Sequence, residues 1–588
     1  MITFWLGLML RGSKLLAAAT VMLLAVQPIL GWIGFTFNKR LFDGLAGASS
    51  WHALSWIVGI LAIAKAAELL LGEASRLIGE RLSLRVVYQL ESYLYESVKP
   101  GTITAVETPS FAGDLNIIRS SLYSVQHMIG TVIQILHQSL LLLIYGYLIV
   151  QHSWLLIAVI AICSVPAFIH EVWQSRRMDS YFQSVSQSQL QSRLAGDLIV
   201  QPQAIKETLV HGNKRFLMNK WMQAAQDVMR ITIRMQTRES LWRVLAMLFQ
   251  PAGFLIAQLL LVGMIRDKSL TIGDYAAITA AMATIQGSML MIAGGGRIGK
   301  QLPLLTRRIR HFAQTYNARG DQTECSETPV ARISFRQFSF AYPVSPERKV
   351  LADIDIDIRS GDVIAIVGEN GSGKSTLAKI MFGLHDVGAG MIKLDEWDMH
   401  SAARHSFFRH AAVVNQDYMK YPFSIYENIA LEEATVDVKR KVEQLLQRYP
   451  MLVPEAYLGK LDTILGSSLL GAQQLSGGQW QRIAIARALY RDSSFLLLDE
   501  ATSEVDPSTE MKLIRQILRE RDGKTTIIVT HNLALATLCD GVVVMKEGRI
   551  AEHAAHEQLI RAKGIYYEMW CKQMLENEEA NDEQRIIS

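Results

Sequence analysis

Six apolar stretches lie before residue 300 of this 588-residue chain, near 15–37, 51–73, 127–149, 153–172, 243–265 and 275–296. Each is close to the roughly 20 residues an α-helix needs to cross a bilayer. Hydrocarbon offers no partner to backbone N–H and C=O groups, so a single-chain span satisfies them internally, as a helix. That constraint dictates the first part of the fold. Hydrophobic residues make up 50% of the chain and charged residues 19%, and mean hydropathy is +0.17. The chain is too long for one core, so more than one domain is expected. A net charge of +4 gives no reason to expect a nucleic-acid partner. The four cysteines, Cys163, Cys325, Cys539 and Cys571, show neither metal nor disulfide spacing and read as free thiols.

Arg11 and Lys14 precede the first apolar run as they would in a signal peptide, but the run is too long for a usual signal core and lacks a small-residue cleavage site. It is expected to be a retained span. Only about fourteen residues precede it, so no peptidase-like domain is expected before it. Val150-Gln151-His152 alone joins spans three and four, a tight hairpin. The long connections 74–126 and 173–242 are charged and read as helical extensions beyond the membrane. Basic residues concentrate at the N-terminus, in these connections (Arg76, Arg81, Arg85, Arg176, Arg177, Lys206, Lys214, Arg215) and after span six (Arg297, Lys300, Arg307). The positive-inside rule then puts both termini and both long loops in the cytoplasm.

An α-helical membrane domain is therefore expected over 1–312 and a polar linker over 313–330. From Ala331, short β-like runs (Ile333 to Phe340, Asp353 to Ile358, Val363 to Val367) give way to alternating helices and strands, an α/β domain over 331–575. The acidic end, 576–588, reads as a tail. No internal repeat of 20–50 residues is evident.

The α/β part carries the chemistry. Gly368-Glu369-Asn370-Gly371-Ser372-Gly373-Lys374-Ser375-Thr376 matches the G-x-x-x-x-G-K-[ST] phosphate loop, between an apolar strand and a helix. Glycines leave N–H groups free to wrap phosphate oxygens, and the helix N-terminus adds favourable partial charge. Gly368, Asn370, Gly371, Ser372, Gly373, Lys374, Ser375 and Thr376 are thus expected to cradle ATP, with Lys374 on the β/γ-phosphates and the Ser375 hydroxyl on Mg²⁺. Phe495-Leu496-Leu497-Leu498-Asp499-Glu500 ends a second buried strand in two carboxylates. Asp499 is placed to hold Mg²⁺, and Glu500 to act as general base on the attacking water.

Leu475-Ser476-Gly477-Gly478-Gln479 resembles the signature of the ATP-binding cassette (ABC) superfamily, and the motif order resembles that family over essentially the whole chain. The resemblance implies that Tyr342 stacks on adenine, that Gln416 touches Mg²⁺ and senses the membrane domain, and that His531 is a switch histidine on the γ-phosphate. It makes Ser503-Glu504-Val505-Asp506 the D-loop, with Glu504-Val505 where Ala-Leu is commoner. It implies that two cassettes pack head to tail, with Ser476, Gly477, Gly478 and Gln479 of one chain completing the site of the other. Ser476 and its glycines precede a helix expected over Gln481–Tyr490. One monomer cannot aim two helix termini at one phosphate, so a dimer is required, and the intact Glu500 and signature favour a second copy of the same chain, a homodimer, over a heterodimer.

Spans fused to a cassette resemble bacterial plasma-membrane exporters. Glu107-Thr108-Pro109-Ser110-Phe111 and Ala204-Ile205-Lys206-Glu207-Thr208 sit where exporters place coupling helices. Leu465 to Arg482 departs from the common exporter pattern and looks more like peptidase-less lanthipeptide exporters. The expected function is ATP-driven export of a peptide or amphipathic small molecule. A lipid flippase or multidrug pump is the alternative, and a gated channel or ATP sensor is the alternative of another class. Lys65 and Glu68 can pair at i,i+3, and Gln134, His137 and Gln138 cluster in span three. They line a substrate cavity or bond helix to helix. Met282, Met289 and Met291 offer an adaptable surface or ordinary packing. Pro28, Pro166 and Pro251 are expected to kink their spans.

Overall fold

The computed structural model describes residues 2–47, 49–98, 106, 108–316, 331–343, 345–385, 387, 390–399, 403–466 and 471–575. The chain divides into two compact units, Met1–Val98 with Ala112–Thr315, and Lys99–Phe111 with Tyr316–Ser588.

Unit 1 is built from helices: α1 (Ile2–Ala46), α2 (Trp51–Ser97), α3 (Pro109–Val150), α4 (Trp154–Val200), α5 (Pro202–His211), α6 (Lys214–Met247), α7 (Phe249–Arg266), α8 (Ile272–Gly294) and α9 (Gly296–Tyr316). Among the described residues six segments are long and apolar enough to cross a membrane, Phe4–Ala46, Trp51–Ser97, Ser124–Val150, Trp154–Gln174, Lys214–Arg266 and Ile272–Gly294. Four of the six expected spans fall inside them, while 153–172 starts one residue before its segment and 275–296 ends two residues after its own. Most of the helices run well past the apolar part, so the charged connections are continuations of α2, α3, α4 and α6. Residues 313–316, expected to open the linker, instead end α9. The rest of the linker, Cys325, Glu107 and the acidic tail lie outside the described residues. The sequence Ala204 to Thr208 falls on α5, a ten-residue helix between the long α4 and α6.

Prolines are expected to kink three spans, and one of the three coincides with a helix boundary. Pro28 and Pro166 sit inside α1 and α4 without interrupting them. The non-helical residue inside α1 is Ser13, at φ −175° and ψ 107°. Its Oγ accepts the Leu16 N–H at 3.2 Å, so it caps the segment that follows. Span five does break near its proline. Pro251 cannot donate to the carbonyl four residues back, and α6 ends at that residue, Met247.

Polar groups pin unit 1 together at two levels. Buried Asp274 lies 2.6 Å from Lys39 Nζ and 3.1 Å from His152 Nε2, joining α8 to α1 and to the 151–153 turn. Ser288 Oγ of α8 donates to Gln138 Oε1 of α3 at 2.6 Å, the helix-to-helix role for that glutamine. Lys65 and Glu68 pair at 2.8 Å on α2. Met282 is fully buried among Ala257, Leu261, Ile278 and Ile285, where it packs and offers no adaptable surface. Met291 is partly exposed.

Unit 2 has two sheets. The smaller has the order β2-β1-β4-β5, from β1 (Arg332–Ala341), β2 (Lys349–Arg359), β4 (Ile392–Leu394) and β5 (Trp397–Asp398). The larger has the order β10-β9-β3-β8-β7-β6, from β3 (Val363–Gly368), β6 (Ala411–Val414), β7 (Phe495–Asp499), β8 (Thr525–Val529), β9 (Gly541–Lys546) and β10 (Arg549–Ala554). All its pairs are parallel except β9 with β10. Strands β7 and β8 are buried throughout, as befits a parallel sheet covered on both faces. The helices are α10 (Lys374–Met381), α11 (Ala403–His410), α12 (Ile425–Ala430), α13 (Val436–Arg448), α14 (Gly477–Tyr490), α15 (Pro507–Glu520), α16 (Leu533–Ala536) and α17 (His556–Ala562), with a further helical stretch over 565–575.

Candidate nucleotide site

In a parallel sheet, ligands gather outside the carboxyl ends of the strands. Here β3, β8, β7 and β6 lie side by side. They end at Gly368, Val529, Asp499 and Val414, so the phosphate loop, His531, the Asp499–Glu500 pair and Gln416 emerge along one edge. Residues far apart in sequence are thereby brought together. A cavity of about 620 Å³ opens there, lined by Val350, Asn370, Gly371, Gly373, Lys374, Ser375, Thr376, Gln416, Glu500, Ser503 and His531.

The loop is shaped by its glycines. Gly371 and Gly373 have φ of 79° and 100°, the left-handed region that favours glycine. Gly368 has φ 150°, and a Cβ there would lie 2.3 Å from the Met545 carbonyl oxygen. Lys374 opens α10 and donates to the Gly368 and Glu369 carbonyls at 2.9 and 3.0 Å. Burial lowers its pKa, against the raising effect of Glu500 and Asp499. The ammonium lies under the loop that a phosphate would enter.

Ser375 Oγ donates to Asp499 Oδ1 at 3.2 Å. Burial, and then the charge of Glu500, push the Asp499 carboxyl above its usual range, while the Ser375 hydrogen bond works the other way. A hydroxyl, the Asp499 carboxylate and the nearby Gln416 amide form an oxygen donor set that fits Mg²⁺. Among the described residues no group of three or more His, Cys, Asp or Glu could hold a metal.

Glu500 is held from three sides. Its N–H donates to Val529 O at 3.0 Å, Gln416 Nε2 donates to Oε2 at 2.9 Å, and His531 Nδ1 lies 3.2 Å from Oε1. Its φ of 49° is a left-handed conformation that costs a non-glycine residue energy and aims this carboxylate into the cavity. Tyr342 bonds Thr376 through its hydroxyl at 3.1 Å and meets Phe340 and His385 edge-on. It borders the loop and is not among the residues lining the cavity.

The signature residues stand elsewhere. Ser476, Gly477, Gly478 and Gln479 do not line the cavity. Helix α14 starts at Gly477, four residues earlier than expected, because Ser476 and Gln479 form a reciprocal capping box. The glycines are thus the first turn of the helix. The Glu504 carbonyl lies 2.4 Å from where a Cβ of Gly478 would sit, and the Glu504 carboxylate overlaps that position on Gly477. Gln481 holds the same segment, donating to Ser503 Oγ at 3.0 Å and accepting the Glu504 N–H at 2.9 Å. Sequence reading placed Ser503 in the D-loop but gave it no role in the cavity. Val350, on β2, carries no motif that could have flagged it.

Residues 351–503 match the family model described as ABC transporter. Human ATP-binding cassette sub-family B member 5 is 34% identical over 249 residues, 42% of this chain. The chain spans only 19% of that relative's length. The ATP-dependent lipid A-core flippase of Syntrophus aciditrophicus is 27% identical over 84% of this chain and 81% of its own. A bacterial Atm1-family ABC exporter with ATP bound superimposes with a TM-score of 0.79 at 19% identity, over 95% of this chain and 98% of that one. This last likeness is one of fold. A helical unit with six segments suited to cross a membrane is thus fused to an ABC transporter nucleotide-binding domain.

Proposed function

We propose that this chain is one half of an ATP-driven exporter in a bacterial plasma membrane, working as a homodimer with termini and cassettes in the cytoplasm. The observation that carries the reading is the convergence of Lys374, Ser375, Gln416, Glu500 and His531 on one cavity that Ser476 does not line. Each chain has the parts to bind and cleave ATP and lacks a second phosphate-facing terminus, which its partner would supply. Ser375, Asp499 and Gln416 would hold Mg²⁺, which would supply charge neutralisation at the phosphates. Glu500 takes the proton of the attacking water, oriented by Gln416 and His531. Closure of two cassettes on ATP and their reopening after hydrolysis make a two-state element able to drive the spans.

For cargo, we favour an amphipathic lipid or hydrophobic drug over a peptide. The flippase that aligns along most of both chains is named for a lipid. The peptide expectation rests on Leu465 to Arg482, part of which lies outside the described residues. In inside-out vesicles, Mg-ATP should drive movement of a headgroup-labelled lipid or a hydrophobic cationic dye, and Glu500→Gln should abolish it. Transport of a cyclic peptide alone would restore the peptide reading. ATP hydrolysis that moves no amphiphile would point to a gate or sensor. Uptake into right-side-out vesicles driven by internal ATP would reverse the direction.

A further inference from the structure

Buried in unit 2, beside the cavity and outside the set of ATP-contacting residues, lies a carboxylate bonded to two loops at once. Glu510 sits in the first turn of α15 and is 7% exposed. Thr502 Oγ1, itself buried, donates to Glu510 Oε1. Asn532 Nδ2 donates to Glu510 Oε2 at 2.7 Å. Thr502 is two residues after Glu500, and Asn532 directly follows His531. The segments carrying the two residues that meet at 3.2 Å are therefore joined a second time, through the Glu510 side chain. Asn532 is also fixed in its orientation, because its Oδ1 accepts the Ala534 N–H at 3.1 Å as the cap of α16.

We infer that Glu510 is a positioning residue that sets the Glu500–His531 geometry, and so the rate of ATP cleavage, without touching nucleotide. The inference rests on the ATPase reading above. A buried carboxylate is costly unless its lone pairs are satisfied, and both oxygens here are used on the segments whose relative placement the chemistry requires. A misplacement of about 1 Å in a catalytic group can cost about a hundredfold in rate. The phosphate loop is bonded separately, through Lys374 to Gly368 and Glu369, so binding should be left alone.

The donor and acceptor roles allow a reversal test. In Glu510→Gln the new amide can still accept from Thr502 but turns an NH₂ toward the NH₂ of Asn532, which cannot flip without abandoning its cap. In Asn532→Asp two carboxylates face each other. Combined, the amide at 510 donates to a carboxylate at 532, which still caps α16, and the charge count is as in the native protein. Each single variant should lower kcat for ATP about tenfold or more, with KM for ATP within about threefold. The double variant should return to within about threefold of native kcat. Thr502→Val, which keeps the volume, should lower kcat with KM unchanged. Thermal melting of each variant separates misfolding from misplacement, and a single variant that fails to fold but is rescued in the double also supports the contact. Native kcat in Thr502→Val, or a folded double no better than its worse parent, overturns the inference. A native protein without ATPase activity would instead sink the functional reading.

Discussion

His531 Nδ1 and Glu500 Oε1 lie 3.2 Å apart, although one follows β8 and the other follows β7. The contact holds the candidate base against a second hydrogen-bonding group at the mouth of the phosphate loop. Replacing Glu500 with Gln keeps the shape and removes the proton acceptor. Turnover should fall by about 10²- to 10⁴-fold while nucleotide binding persists through Lys374, Ser375 and Asp499. Equilibrium nucleotide binding and steady-state ATPase on the same purified variant test this, and hydrolysis within a few-fold of native would remove Glu500 from the role of base.

The position of Ser476 outside the cavity predicts complementation between chains. Ser476→Arg and Lys374→Ala each inactivate a homodimer. In a mixed dimer both lesions fall on one composite site and leave the other whole. Tagging the chains differently and isolating the mixed species should recover ATPase above either mutant homodimer. No recovery from a verified mixed dimer would mean either that the composite site is wrong or that the two sites fire only together. Nucleotide binding to half the sites would identify the second.

The signature glycines should tolerate methyl groups unequally. A Cβ on Gly477 meets the carboxylate end of the Glu504 side chain, which can swing away, whereas one on Gly478 meets the Glu504 main-chain carbonyl, which cannot. Gly478→Ala should lower ATPase more than Gly477→Ala, and Glu504→Ala should relieve Gly477→Ala alone. Equal losses, or relief of both, would show that the contact does not govern the segment.

Asp499 predicts an acid sensitivity. Burial raises its folded pKa above the ordinary 3.8, so the folded state holds this proton more tightly than the unfolded chain does. Its contribution to stability is complete below the ordinary value and is lost as pH rises through the folded one. Mg²⁺ needs the ionised form and competes with that proton. The Mg²⁺ concentration giving half-maximal nucleotide binding should therefore climb as pH falls from neutrality, sooner than for an ordinary aspartate. Asp499→Asn should bind Mg²⁺ weakly at every pH. A pH-independent requirement in the native protein would contradict the burial argument.

Much of the plan was legible before any coordinates. Six apolar runs have one backbone solution in hydrocarbon, and Gly368 to Thr376 has few conformations that fit its glycines. The ends of strands β3 and β7 could be read from apolar runs that stop at glycine and at paired carboxylates. These are local properties, each set by residue type within one continuous stretch of chain. What depended on three-dimensional packing was hidden. The break in α1 falls at Ser13 because a side-chain cap there is as good as a helical turn, and no proline marks it. Helix α14 starts at Gly477 because Ser476 and Gln479 cap each other, a pairing masked by glycines that read as loop. Glu510 looks like any acidic residue early in a helix. Only the order of strands β3-β8-β7-β6 brings Thr502 and Asn532 to its two oxygens, since neighbours in a parallel sheet are chosen by crossover topology and not by proximity in the chain.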